Sequence, residues 1–95
     1  MPDFDAETIP RVNGILQLED YTFMDALIHW DSVILVFTEK ECRHCDRVIG
    51  IFEKEVAAIN NIKETEVAFV NCQSEKEVCA YMHITSFPTI RYIYK

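Results

Sequence analysis

The chain has 95 residues, 49% of them hydrophobic, and a formal net charge of −7. That length allows one domain, near the lower end of sizes that build a core unaided, and the apolar content excludes a disordered chain. The acidic balance argues against electrostatic binding to nucleic acid or an anionic membrane, and no apolar run approaches the ~20 residues of a membrane span.

Residues 1–13 carry Pro2 and Pro10 and show no clear period. They read as an N-terminal arm, with the domain proper over 14–95. The opening MPDFDAETIP has no apolar h-region, so no secretory signal is read there. The closing RYIYK is not a retention tetrapeptide. Residues 14–18 read as a short strand. Asp20 is placed to cap a helix that turns Phe23, Leu27 and Trp30 inward, with His29 and Asp31 at its end. Val33-Ile34-Leu35-Val36-Phe37 is a continuous apolar run, which predicts a buried parallel strand over 32–37.

A polar turn, Thr38-Glu39-Lys40-Glu41, leads into Cys42-Arg43-His44-Cys45. The apolar period then changes. Val48, Ile49, Phe52, Val56 and Ile59 recur at helical spacing, which predicts a helix over 42–60 with Gly50 as a point of kinking. Asn60-Asn61 closes it. Residues 66–71 read as a strand buried on both faces. Ser74 and Glu77 match a capping box, so a short helix carrying Val78, Cys79 and Met82 is expected next. Residues 85–88 are a turn. Residues 89–94 are a final strand, alternating Ile90, Tyr92 and Tyr94 against Arg91 and Ile93. The order βαβαβαβ predicts an α/β domain with a largely parallel sheet and right-handed crossovers.

The cysteine pair thus opens a helix directly after a buried strand. Backbone N–H groups and the positive helix end favour the Cys42 thiolate. Cys45 lies one turn in, on the apolar face, as a buried resolving thiol. His44 stands between them, and a charged imidazole there would stabilise the thiolate. The bland alternatives are an inert cysteine pair and a solvated loop histidine. The helix-start placement argues against the first. Metal binding is the rival for all four cysteines, but the spacing to Cys72 and Cys79 is not that of a zinc ribbon, so no metal is expected. Six residues separate Cys72 from Cys79, enough to close a small loop. A structural disulfide and two buried free thiols are both open readings.

The strand-to-helix CRHC and the downstream Ser86-Phe87-Pro88-Thr89 together resemble the thioredoxin fold, over about residues 16–94. CRHC is most similar to the CxHC sites of the protein disulfide isomerase branch. The resemblance implies thiol–disulfide exchange on cysteine-containing proteins, with no cofactor. It implies Cys42, Cys45 and His44 as catalytic residues and Arg43, Phe87 and Pro88 as substrate contacts, with Pro88 cis. It favours a structural Cys72–Cys79 disulfide and an oxidising compartment such as the endoplasmic reticulum lumen. A cytoplasmic location is the alternative.

The resemblance also implies an antiparallel last strand. The usual further strand and C-terminal helix are not reached, so strand 89–94 is expected as an open edge that self-associates or pairs with a partner, with one sheet face short of a helix. Four positions depart from the family pattern. Glu41 replaces a tryptophan, Val36 a buried carboxylate, Phe69 a lysine and Ser86 a glycine. These departures support a second reading: a degenerate module that holds cysteine-containing or unfolded clients without turnover, or one that a partner chain completes.

Overall fold

The computed structural model describes residues 4–95, apart from the side chains at 62 and 63. Pro2, counted above with the arm, lies outside the described residues. A 3-10 turn, Ala6–Thr8, precedes strand β1 (Arg11–Val12) and strand β2 (Ile15–Gln17). Helix α1 (Phe23–His29), strand β3 (Ser32–Thr38) and helix α2 (Arg43–Lys63) follow. Strand β4 (Glu66–Asn71), helix α3 (Lys76–Tyr81) and strand β5 (Thr89–Tyr94) complete the order. The sheet runs β1-β2-β4-β3-β5. β2, β4 and β3 are mutually parallel, while β5 is antiparallel to β3.

One strand was not anticipated. β1 pairs antiparallel with β2, Val12 opposite Ile15, across the two residues Asn13 and Gly14. Both have positive φ, 53° and 83°. That is the backbone of a type I′ hairpin turn, for which Asn-Gly is the strongest short signal. Part of the expected arm is therefore sheet, and Ile9 is buried in the core. Arg11 holds this edge down: its guanidinium meets both carboxylate oxygens of Glu66, at 2.9 and 3.3 Å.

Alternation along β3 divides the core. Val33, Leu35 and Phe37 face one side, with Leu16, Ala68, Val70, and Phe23 and Ala26 of α1 and Val78 and Cys79 of α3. Val36 and half-buried Ile34 face the other, with Ile15, Val67 and the α2 residues Val48, Phe52, Val56 and Ile59. Both faces thus carry a helix, unlike the expectation of an uncovered face. The shortfall is confined to β5. Its Ile90, Tyr92 and Tyr94 lie on the α2 side, opposite Val36, Ile34 and Ser32, and all three are exposed. Tyr92 and Tyr94 stack on each other, and Tyr92, Ile34, Ile59 and Thr65 line a groove of about 380 Å³. No strand or helix follows β5 among the described residues.

Two local expectations are corrected. Asp20 does not cap α1, whose N-cap is Thr22. Its Oδ1 accepts instead from the backbone N–H of Val78, in the first turn of α3. Ser74 and Glu77 do not form a capping box, because α3 starts at Lys76 with Glu75 as N-cap. The Glu75 carboxylate accepts from the Asp20 N–H, so the two helix entrances are cross-tied. α2 runs through Gly50 as one element, and a Cβ there would meet nothing within 4 Å.

Candidate functional site

The C-terminal ends of β3 and β4 and the start of β5 lie together. Thr38 is the register partner of Asn71, and Phe37 that of Thr89. Three connecting segments therefore leave the same end of the sheet: 39–42, 72–75 and 85–88. The carboxyl ends of parallel strands are where open α/β sheets place their sites.

Cys42 is the N-cap of α2. Its extended backbone (φ −111°, ψ 104°) turns the chain into the helix, and its Sγ accepts the N–H of Cys45 at 3.1 Å. An N-cap acceptor satisfies one of the four N–H groups that a helix start leaves unpaired. The same donors and the helix dipole stabilise a sulfur anion at that place. Cys45 is 1% exposed, whereas Cys42 is only half-buried. The two are joined as a disulfide, with S–S 2.20 Å and Cα–Cα 5.1 Å. Arg43 and His44, between them, are both exposed. Glu41, just before the nucleophile, is exposed and adopts a left-handed φ of 59°.

The Phe87–Pro88 peptide bond is cis, and both residues are half-buried. Thr89 Oγ1 donates to Ser86 O at 2.6 Å across this turn. The segment enters β5 beside Phe37, at the end of the sheet from which the loop carrying Cys42 leaves. Cys72 and Cys79 are also bonded, with S–S 2.04 Å and Cα–Cα 5.7 Å. This disulfide joins the turn after β4 to the middle of α3. Among the described residues, no group of three or more His, Cys, Asp or Glu side chains is arranged to hold a metal ion. No helix among them is long and apolar enough to cross a membrane.

Val36 and Phe69, where the family pattern implies a carboxylate and a lysine, pack with Val48 and Phe52 on the α2 face that also carries Cys45. Gln73 is a contact that sequence reasoning missed: its side-chain carbonyl accepts the Lys40 N–H at 2.9 Å. No pattern flags such a bond, because donor and acceptor are 33 positions apart.

A buried inner β3, a half-buried cysteine capping the following helix and a buried cysteine one turn on define a dithiol–disulfide domain of thioredoxin type. The chain belongs to the thioredoxin family, whose pattern matches residues 14–95. It is similar to rice Protein disulfide isomerase-like 5-1, with 29% identity over 82 residues, covering 85% of this chain and 56% of that protein. It is 30% identical over 81 residues to Arabidopsis thaliana Protein disulfide-isomerase 5-1, covering 84% and 56%. The chain thus spans just over half the length of these two relatives. Among solved structures, the first thioredoxin domain of mouse Protein disulfide-isomerase A4 superposes with a TM-score of 0.83 at 23% identity, covering 95% of this chain and 65% of that one. Human ERp44 form I gives 0.81 at 19% identity, covering 90% and 24%. At these identities the two structures speak for the fold alone.

Proposed function

We propose that this domain exchanges disulfides with cysteine-containing proteins, as an isomerase-like site of reduced turnover. The observation that carries this reading is the asymmetry of the cysteine pair: Cys42 half-exposed on the helix N-cap, Cys45 1% exposed one turn in. The reduced form attacks through the Cys42 thiolate. A Cys42–client disulfide forms, the client S–S bond breaks and one client thiolate leaves. Cys45, having lost its proton, then attacks Cys42 Sγ. The second client thiolate leaves and the Cys42–Cys45 disulfide remains. Two electrons pass to the client; the reverse sequence donates a disulfide. No cofactor takes part.

His44 lies beside the nucleophile and favours its anionic form when charged, which raises the reduction potential. Arg43, Phe87 and Pro88 take the client chain, whose backbone pairs with the segment before Pro88. The catalytic unit is 14–95, with the N-terminal residues as an arm strapped to it through β1. A Cys72–Cys79 structural disulfide beside the dithiol suits an oxidising compartment, and the endoplasmic reticulum lumen is the one proposed. Open edge β5 pairs with a second chain.

One observation favours a second reading. Val36 and Phe69 are apolar where the family pattern has a carboxylate and a lysine, and Glu41 sets a negative charge next to Cys42. Both slow the cycle, and a domain that captures clients without releasing them would follow. Reduction of insulin disulfides, with Cys42→Ser/Cys45→Ser as control, separates the two. Turnover above the control supports exchange. Stable mixed disulfides without turnover support the holding module.

A further inference from the structure

The turn after β4 touches the loop before the nucleophile at two points. Cys72 N donates to Thr38 O at 2.9 Å, which extends the β3–β4 ladder by one step. Lys40 N donates to Gln73 Oε1, also at 2.9 Å. This second bond lies beyond the ladder and is made by a side chain. Gln73 is itself held in place. Its N–H donates to Asn71 Oδ1 at 2.9 Å, and its neighbour Cys72 is fixed to Cys79. Lys40 precedes Glu41, the left-handed residue, which in turn precedes Cys42. The sharp change of direction from β3 into α2 is therefore pinned at both ends, by Gln73 before it and by the Cys42 cap after it.

We propose that Gln73 is a positioning residue for the dithiol site. Its carbonyl fixes the Lys40 N–H, and with it the left-handed turn at Glu41 and the seat of Cys42 at the helix start. Gln73 need not touch the client. It acts through the backbone, by keeping the nucleophile where the helix N–H groups favour its thiolate. The inference rests on the exchange reading of this site. What the position requires is an acceptor at the end of a two-methylene side chain. Glutamate retains that acceptor and leucine does not. Gln73 is exposed, so water replaces the lost bond and global stability changes little. The loop, however, spends more time away from its active arrangement.

The test compares wild type, Gln73→Leu and Gln73→Glu. In the oxidised protein, hydrogen exchange of the Lys40 amide is expected to speed about fivefold in Gln73→Leu, the size of one neutral hydrogen bond. The melting temperature should hold. Gln73→Glu should keep the amide within about twofold of wild type. In the reduced protein, the pH midpoint for alkylating Cys42 should rise in Gln73→Leu, and kcat/KM for insulin reduction should fall about fivefold, mostly through kcat. The amide and alkylation readouts need no turnover. A wild type that fails to reduce insulin would remove the exchange reading and still leave the latch decided. An unchanged Lys40 amide or Cys42 midpoint in Gln73→Leu overturns the proposal, as does a Lys40 amide that exchanges as fast in Gln73→Glu as in Gln73→Leu.

Discussion

Val36 and Phe69 are direct partners in the β3–β4 ladder, and both belong to the cluster that packs beneath α2. An acid–base pair at these two places would lie side by side, on the face that carries Cys45. Here the two side chains are apolar, and Val36 is fully buried. Without a positioned base at Val36, the Cys45 proton is expected to leave through water when the mixed disulfide resolves. Resolution by Cys45, rather than attack by Cys42, is expected to limit turnover.

Val36→Glu tests this. A positioned base contributes typically ~10²–10⁴-fold to a proton transfer, and water already supplies part of that. The variant should shorten the lifetime of mixed disulfides and speed insulin reduction. It should also lower stability, because burial pushes an unpaired carboxyl up and makes its charge costly. Adding Phe69→Lys should recover part of that stability. If a folded Val36→Glu protein keeps the wild-type mixed-disulfide lifetime, the missing carboxylate does not limit this site.

Glu41 and Cys42 make a second electrostatic case. The N-cap favours the thiolate, while the neighbouring carboxylate opposes it. Glu41→Gln is expected to lower the pH midpoint of Cys42 alkylation, and added salt should shrink the difference because both groups reach solvent. A midpoint that rises or stays put would show that the carboxylate points away from the sulfur.

The Cys72–Cys79 bond spans a sequence separation of seven. In the chain-entropy account, closing so short a loop stabilises by roughly 2–3 kcal/mol. Cys72→Ser/Cys79→Ser should lose about that much in denaturant unfolding. The helix start favours Cys42 as the leaving thiolate, so the Cys42–Cys45 bond should yield to mild reductant before Cys72–Cys79 does. Peptide mapping after graded reduction gives the order directly, and loss of both bonds together would contradict it.

Gly14 holds a φ of 83° in the turn between β1 and β2. A Cβ there would make only ordinary contact with Val56, at 3.5 Å, so the cost of Gly14→Ala is backbone strain rather than a clash. About 1 kcal/mol of stability should be lost, while Asn13→Gly should be close to neutral. Equal losses in the two variants would mean that the turn is not held in its left-handed form.

The sequence made most of this architecture legible where burial and period agree. β3, with its run from Val33 to Phe37, and α2, with its apolar face from Val48 to Ile59, stand where periodicity puts them. The dithiol turn between them follows from the same two elements. What escaped was set by contacts distant in sequence. Asp20 looks like the cap of the next helix, but its partner is Val78, 58 positions on. Gln73 is reached from Lys40 only because β3 and β4 end side by side. The β1 hairpin is a different kind of miss: Asn13-Gly14 announced it locally, but two exposed strand residues show no alternation to support the signal.

β5 carries the last prediction. It is the outer strand beyond β3, and Thr89–Tyr94 has Arg91 as its only charge and no proline. Exposed edges are normally blunted by charges, proline or bulges, and an apolar edge without them invites pairing. Ile90, Tyr92 and Tyr94 are 50, 54 and 69% exposed, all on the side where Ile34 is itself half-buried. Pairing through this edge would satisfy its outer backbone groups and cover the apolar row together. Self-association that grows with protein concentration is therefore expected in sedimentation. Ile90→Lys should weaken it, because a lysine in that row must keep its charge in water when the strand is covered. The substitution is exposed, so the fold and the Cys42–Cys45 site should be unaffected. A wild-type protein that remains a monomer at all concentrations, with β5 amides already protected from exchange, would show that this edge is closed without a partner.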